Sequence, residues 1–372
     1  MSFFLMFYVM GLLSLLVGHS DNLVKQPFFS KVGSLFIGLC FISSVFVVYW
    51  NKAGDLNFVY SDLITYYSNF VMSQKWDFNE FQNFHVFEIG YDLLVWIFSK
   101  LCMAWGVTIT HYEFTLTIFG LSLLIIYFAC LQLFTGGLAA LITGAYMWYQ
   151  YFNLFSFNII RQGMALAICL LATTIYLKNN KPIVSISVMV IACAFHESVT
   201  YTGLVPLLLI IIFSNNKLRF EKSLEIVAVI AALLYVTRLN GIVLSKLPMN
   251  LVQTYQDQSI LLMAQKGGIN ANDPKLLIMS IVMLVFMRFL ANDNIVLKKI
   301  YYMMLVISIE FFLMGFVVYS YRIAYSAFFF VPFAVFYYIE NKIKTHKSLV
   351  LLCFVICIIA FSWEATPFFM FK

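Results

Sequence analysis

The run "FNIIRQGMALAICLLA" (residues 157–172) is apolar enough for a bilayer, yet Asn158, Arg161 and Gln162 stand just inside its front edge. A charge buried in hydrocarbon costs roughly 2.5–3.5 kcal/mol on insertion scales, so an intramembrane cation calls for a compensating purpose. On a continuous helix, spacings of three and four residues put these side chains on one face. Other polar sets interrupt apolar sequence in the same way: His196-Glu197-Ser198 and Arg322, with Asp62 and Glu88 in an acidic segment upstream. Cations, an imidazole and carboxylates beside lipid form an inventory suited to chemistry on an anionic, lipid-linked substrate. Arginines grip a pyrophosphate through their planar donor fork. A carboxylate or His196 accepts a proton from an attacking hydroxyl.

Each residue also has a plainer role open to it. Arg161 can snorkel to the interface or pair with a helix end, and Arg322 can be an ordinary loop charge. His196 can cap a turn, and Asp62 can be the N-cap of a helix starting at Leu63. His85 and Glu88 have H-x-x-E spacing, which alone is a weak metal signal, and there is no D-x-D in the chain. The expectation is therefore no metal and no cofactor. The seven cysteines lie in apolar segments without a C-x-x-C pair, so neither a disulfide frame nor a zinc site is expected.

The elements that must position these groups are membrane helices. Of 372 residues, 63% are hydrophobic and 11% charged, which excludes a soluble enzyme. Stretches of about 17–20 apolar residues recur along the chain, each able to cross roughly 30 Å of hydrocarbon. The first, from Phe3 to Gly18, has neither a basic n-region nor a cleavage site and reads as a retained span. Lysine- and arginine-bearing loops face the cytoplasm. These are Lys178/Lys181, the run Lys217–Lys222, Lys298/Lys299 and Lys342/Lys344/Lys347. The net charge of +6 belongs to such loops and does not point to nucleic acid.

The acidic segment from Asn51 to Glu88 should then lie outside. A helical wheel over 91–107 sets Leu94, Phe98, Leu101 and Trp105 against Asp92, Trp96, Ser99 and Met103, as in an amphipathic helix lying in the interface. The chain then reads as a single membrane domain over 1–372 with about twelve spans, or thirteen if 91–107 crosses. Its first outer loop covers 51–112 and a second large one covers 240–274. Residues 182–214 are too many for one span with both flanks cytoplasmic. They should turn back at His196-Glu197-Ser198, below the outer surface, where irregular backbone must line a cavity or be buried in protein.

The stretches "SDLITYYSNF", "FEIGYDLLVWIF", "NIIRQGMALAICLLA", "ACAFHESVTYTGLVPL" and "YSYRIAYSAFFFVPF" together resemble the EpsG-type polysaccharide polymerases, a group that includes many Wzy O-antigen polymerases. The Arg161-Gln162 and Phe195-His196-x-Ser198 elements are the most specific. The resemblance implies an all-α, polytopic, GT-C-like membrane glycosyltransferase of the bacterial inner membrane, with its site on the periplasmic side. It implies polymerisation of undecaprenyl-pyrophosphate-linked repeats, with a chain-length regulator and a flippase as partners. By the same resemblance Arg161, Arg322, Gln162 and Asn158 bind substrate, and His196, Asp62 and Glu88 are catalytic. Extra residues separate Gly54-Asp55 from Asp62-x-x-x-Tyr66, so either Asp55 or Asp62 holds the acidic position of the family. A lipid-linked-glycan flippase, or another membrane glycosyl- or acyltransferase, would use a similar inventory. A flippase, however, should line a two-sided path, whereas these polar groups cluster on the outer side.

Overall fold

The computed structural model describes residues 63–83, 86–134, 136–149, 151–152, 155, 159–213, 217–244, 271–292, 294–317 and 320–342. Every regular element among them is helical, and the chain is an all-α membrane protein. Among the described residues three helical stretches are long and apolar enough to cross a bilayer: Glu113–Cys130, Ile160–Asn179 and Tyr321–Asn341. The chain divides into two compact units, residues 1–199 with 339–372, and residues 200–338.

The first unit contains α1 (Leu63–Lys75), α2 (Phe78–Asn83), α3 (Ile89–Ala104), α4 (His111–Cys130), α5 (Gly136–Trp148), α6 (Ile160–Asn179) and α7 (Pro182–Phe195). Helix α6 is its axis, with residues from Ile160 to Tyr176 buried almost all round and α4 and α7 packed against it. Gly163, Ala165, Ala167, Cys169 and Ala172 keep its surface low, which lets neighbouring backbones approach. The helix stops where Asn180 turns left-handed, with φ 49°, and its N–H returns to the Tyr176 carbonyl. Pro182 then opens α7 at a position where its missing N–H costs nothing.

Local signals set the outer elements. Asp77 and Glu80 cap each other reciprocally ahead of α2 (Glu80 N–H to Asp77 2.7 Å, Asp77 N–H to Glu80 2.9 Å). Thr110 and Glu113 form a capping box on α4. Helix α3 ends at Ala104, and Gly106, with φ 63°, closes the turn after it, while the Val107 N–H reaches the Cys102 carbonyl at 2.9 Å.

Helix α3 is two-faced, and its buried side includes the polar residues Asp92 and Ser99. The buried stripe of α3 is Tyr91, Asp92, Val95, Ser99 and Cys102, facing α1 and α7. The exposed side carries Ile89, Leu93, Ile97, Leu101 and Trp105. The polar edge turns inward because protein groups satisfy it, with Asp92 accepting from Asn69 and the Val86 and Phe87 N–H groups. At 16 residues the helix is about 24 Å long, shorter than the roughly 30 Å hydrocarbon core.

The interruption at 196–198 stands as expected. Helix α7 ends at Phe195, His196 is extended and 197–198 form a turn. Helical structure resumes as a π-turn at Thr200–Leu204 and then α8 (Val205–Phe213). The two apolar arms, Pro182–Phe195 and Thr200–Phe213, are each shorter than a full span.

The second unit contains α8, α9 (Lys217–Val236), α10 (Leu239–Leu244), α11 (Pro274–Leu290), α12 (Ile295–Met314), α13 (Tyr321–Phe328) and the start of α14 (Val331–Lys342). Helix α12 is the counterpart of α6, buried from Leu297 through Phe312 along most of its surface. Asn294 starts it by accepting the Val296 and Leu297 N–H groups at 2.9 and 3.2 Å. Asn240, fully buried, clasps one end of this unit by donating to Asn272 Oδ1 and the Phe312 carbonyl, both at 3.0 Å.

Candidate functional site

Glu88 is the N-cap residue of α3, yet its carboxylate does not cap that helix. It forms an ion pair with the Arg161 guanidinium instead. Asp92, one turn into α3, makes this possible. Its carboxylate accepts the N–H groups of Val86 (3.0 Å) and Phe87 (2.8 Å), and Asn69 of α1 donates to its other oxygen at 2.8 Å. Asp92 is only 2% exposed, and a charge so buried holds its donors strongly. The segment entering α3 is thereby folded back over the helix's first turn, which fixes Phe87 and Glu88.

Arg161 is the second residue of α6. Its guanidinium carbon lies 4.3 Å from the centre of the Phe87 ring and 5.6 Å from that of Tyr66. Its Nε donates weakly to the Tyr66 hydroxyl at 3.5 Å. Tyr66, Phe87 and Tyr91 form a ring cluster with centroids 5.1 to 5.8 Å apart. A cation at a helix N-terminus opposes the helix dipole, so the α6 terminus alone would not hold Arg161. Glu88 offsets that cost, and the aromatic faces replace part of the water the guanidinium loses.

The His196–Ser198 turn meets the same spot. The Glu197 N–H points to the second Glu88 oxygen at 3.5 Å. His196 Nδ1 accepts the Ser198 N–H at 3.2 Å and lies 2.7 Å from its hydroxyl. An Nδ1 that accepts from a backbone amide carries no proton, so the neutral ring holds its hydrogen on Nε2. Gly90 lets the parts close together: a Cβ there would stand 2.7 Å from the Ala194 carbonyl oxygen.

Glu88, Arg161 and His196 are thus assembled in one place, although far apart in sequence. Gln162 is buried at 1% exposure in α6, beside Arg161 in the chain. Asp62 and Asn158 lie outside the described residues. Arg322 belongs to the second unit, in the first turn of α13, 6.0 Å from the Tyr321 ring centre.

Sequence reasoning missed Tyr91. Its side chain is fully buried, and its hydroxyl has no hydrogen-bond partner among the described residues. Burial pushes its phenol well above the ordinary value, Tyr66 adds to that, and Arg161 pulls the other way. The clue lay in "EIGYD": Tyr91 sits three residues after Glu88, on the first turn of the same helix.

The EpsG family model matches residues 39–369, most of the chain. The chain belongs to the EpsG family. This family is associated with polysaccharide polymerisation, and the resemblance read from the five stretches above agrees with it. No curated protein and no solved structure matches the chain. Within the EpsG match, the elements around Glu88, Arg161 and His196 are the ones this unit brings together.

Proposed function

We propose that this EpsG-family protein is a membrane glycosyltransferase that joins undecaprenyl-pyrophosphate-linked repeats into a surface polysaccharide on the periplasmic side of the inner membrane. In this reading it is a GT-C-like protein of about twelve spans, working beside a flippase and a chain-length regulator. The supporting observation is Arg161. It is a cation at the start of a membrane-length helix, held between a carboxylate and two aromatic faces, beside a helix N-terminus with no side-chain cap.

A helix N-terminus with an arginine on its first turn is an anion site. Glu88 provides the anion from within the chain, and a substrate pyrophosphate is the external group that would share or displace it. The growing glycan is the donor and polyprenyl pyrophosphate the leaving group. A hydroxyl of the incoming repeat forms the new bond to the anomeric carbon as the carbon–pyrophosphate bond breaks. Negative charge develops on the departing pyrophosphate, where a fixed cation in a water-poor site acts best. Arg161 stabilises that charge, and His196 Nε2–H and the Tyr91 hydroxyl are further donors. The acceptor's proton goes to a carboxylate, with Glu88 or Asp62 in that role. Arg322, Gln162 and Asn158 remain substrate-binding assignments carried by the family resemblance.

The test is a gel of surface polysaccharide from a deletion strain. Collapse of the ladder to lipid cores bearing single repeats supports a polymerase. Loss of all repeats would instead favour a lipid-linked-glycan flippase.

A further inference from the structure

A second charged cluster lies in the other unit. Arg288 on α11 donates from Nη2 to Glu221 at 2.8 Å and from Nε to Glu225 at 3.0 Å, both on α9. Two tyrosines of α12 complete it. Tyr301 donates to Glu225 at 3.1 Å and Tyr302 to Glu221 at 3.0 Å. The cluster closes one end of an apolar groove of about 470 Å³ between α9, α11 and α12. Ala228, Ala232 and Leu233 line one wall, and Val285 and Leu305 line others.

The groove's length selects its occupant. It runs from Glu225 to Val236 on α9 and from Tyr301 to Phe312 on α12. At 1.5 Å per residue that is about 17 Å, close to the ~15 Å hydrocarbon of a single leaflet. It therefore fits one acyl chain of one leaflet rather than a chain crossing both. The cluster is the end that lies beside Lys222, Lys298 and Lys299 in the chain, the side assigned to the cytoplasm.

Charge selects the headgroup. One guanidinium between two carboxylates leaves negative charge in surplus. Arg288 is 40% exposed and Glu225 35%, so both can be reached from the lipid side. A phosphate beside Arg288 and a primary ammonium beside Glu225 satisfy both signs at once. A headgroup with net negative charge meets the surplus carboxylate, and a quaternary amine cannot donate to it.

We propose that this groove is a binding site for a phosphatidylethanolamine-type lipid of the cytoplasmic leaflet, with one acyl chain in the groove, its phosphate on Arg288 and its ammonium on Glu225. Neither the polymerase reading nor its residues enter into this.

The full-length protein is exchanged into nanodiscs of phosphatidylethanolamine, phosphatidylglycerol or phosphatidylcholine and then released for native mass spectrometry. The wild type should retain one phosphatidylethanolamine and little of the other two. Ala232→Phe fills the groove and leaves the cluster intact. Glu225→Gln removes the ammonium partner and keeps the shape. Each should lower retention about tenfold or more, the loss of one charge-assisted contact or of the chain's seat. Melting in detergent checks that each variant is folded, and a variant that fails leaves the other to decide. Equal retention of all three lipids, a preference for phosphatidylglycerol, or wild-type retention by a folded variant overturns the proposal.

Discussion

Arg161 and Arg288 both sit on helices of a membrane protein and both meet carboxylates, but their surroundings differ in balance. Among the described residues Arg161 has a single carboxylate partner, Glu88, and its other neighbours include the rings of Phe87 and Tyr66. Arg288 has two carboxylates, and each of those also accepts a tyrosine hydroxyl. The Arg161 side chain is 19% exposed and that of Arg288 40%. A guanidinium has five N–H donors. At Arg161 the protein leaves part of that capacity facing rings, which attract a cation but accept no strong hydrogen bond. At Arg288 the protein outnumbers the cation. The first arrangement suits a cation that takes on an external anion alone; the second ties helices together and presents a partly exposed guanidinium beside a surplus carboxylate, a setting for a group of both signs.

The widest separation between the two should appear on substitution. Arg161→Ala is expected to cost polymer formation about 100-fold or more, the scale of losing a fixed charge-stabilising group, at unchanged protein level. Arg161→Lys keeps the charge without the planar fork and should retain a trace. Arg288→Ala should act through folding, because it strands Glu221 and Glu225, so its ladder should fall only in proportion to the protein blot. A normal ladder from Arg161→Ala would remove the distinction and the site with it.

Much of the first region could be read from sequence, and much of the second could not. Arg161 and the His196 turn stood out because polar residues interrupt apolar runs. Glu88 was one of several acids in the segment 51–88, and its pairing with Arg161 across 73 positions is a tertiary fact. The wheel over α3 left open which side is buried. Period alone separates two faces but cannot say which faces protein, and Asp92 faces inward because Asn69 and two backbone N–H groups await it. Glu221, Glu225 and Arg288 were hidden because each lies near the lysine-bearing helix ends, where charges are ordinary.

Two glycines give the next largest effects and sort the regions by what they need. In Gly90→Ala the new methyl would meet the Ala194 carbonyl at 2.7 Å and push α3 away from the end of α7. A displacement of about 1 Å at a reacting site can cost up to about 100-fold, so activity should fall tenfold or more while the protein level holds. In Gly315→Ala the methyl would overlap the Tyr235 ring, whose hydroxyl donates to the Asp273 carbonyl at 3.0 Å. Overpacking there should cost roughly 1–3 kcal/mol and show as less protein and a lower melting temperature. Equal effects of both on protein level would place Gly90 among purely structural contacts.

Glu88→Gln sharpens the account of Arg161 itself. If Glu88 mainly holds the place of a substrate anion, the amide should weaken that competition. KM for the lipid-linked repeat should then fall several-fold with kcat little changed. If Glu88 accepts the acceptor's proton, kcat should fall by about 100-fold or more, the usual contribution of a general base. Purified protein with defined lipid-linked repeats separates these outcomes, and an unchanged KM and kcat would exclude both roles.

The smallest effect is expected from Tyr91→Phe, and it carries the most specific information. The Tyr91 hydroxyl is buried without a partner among the described residues, and leaving such a group unsatisfied costs about 1–3 kcal/mol. Removing it should therefore raise the melting temperature or leave it unchanged, whereas deletion of a structural hydrogen bond lowers it. If the hydroxyl is kept as a donor for the substrate, the same variant should bind the lipid-linked repeat a few-fold more weakly. Its pH behaviour follows from burial, which raises the phenol above its ordinary value of about 10. Because the folded value is raised, the stability linked to the neutral form is fully present below that ordinary value. It is lost only as pH rises through the folded value. The hydroxyl thus stays protonated between about pH 6 and 9, and wild-type and Tyr91→Phe pH–rate profiles should be parallel across that range. A variant less stable than wild type, with unchanged substrate affinity, would make Tyr91 an ordinary core residue and leave Arg161, Glu88 and His196 to account for the site.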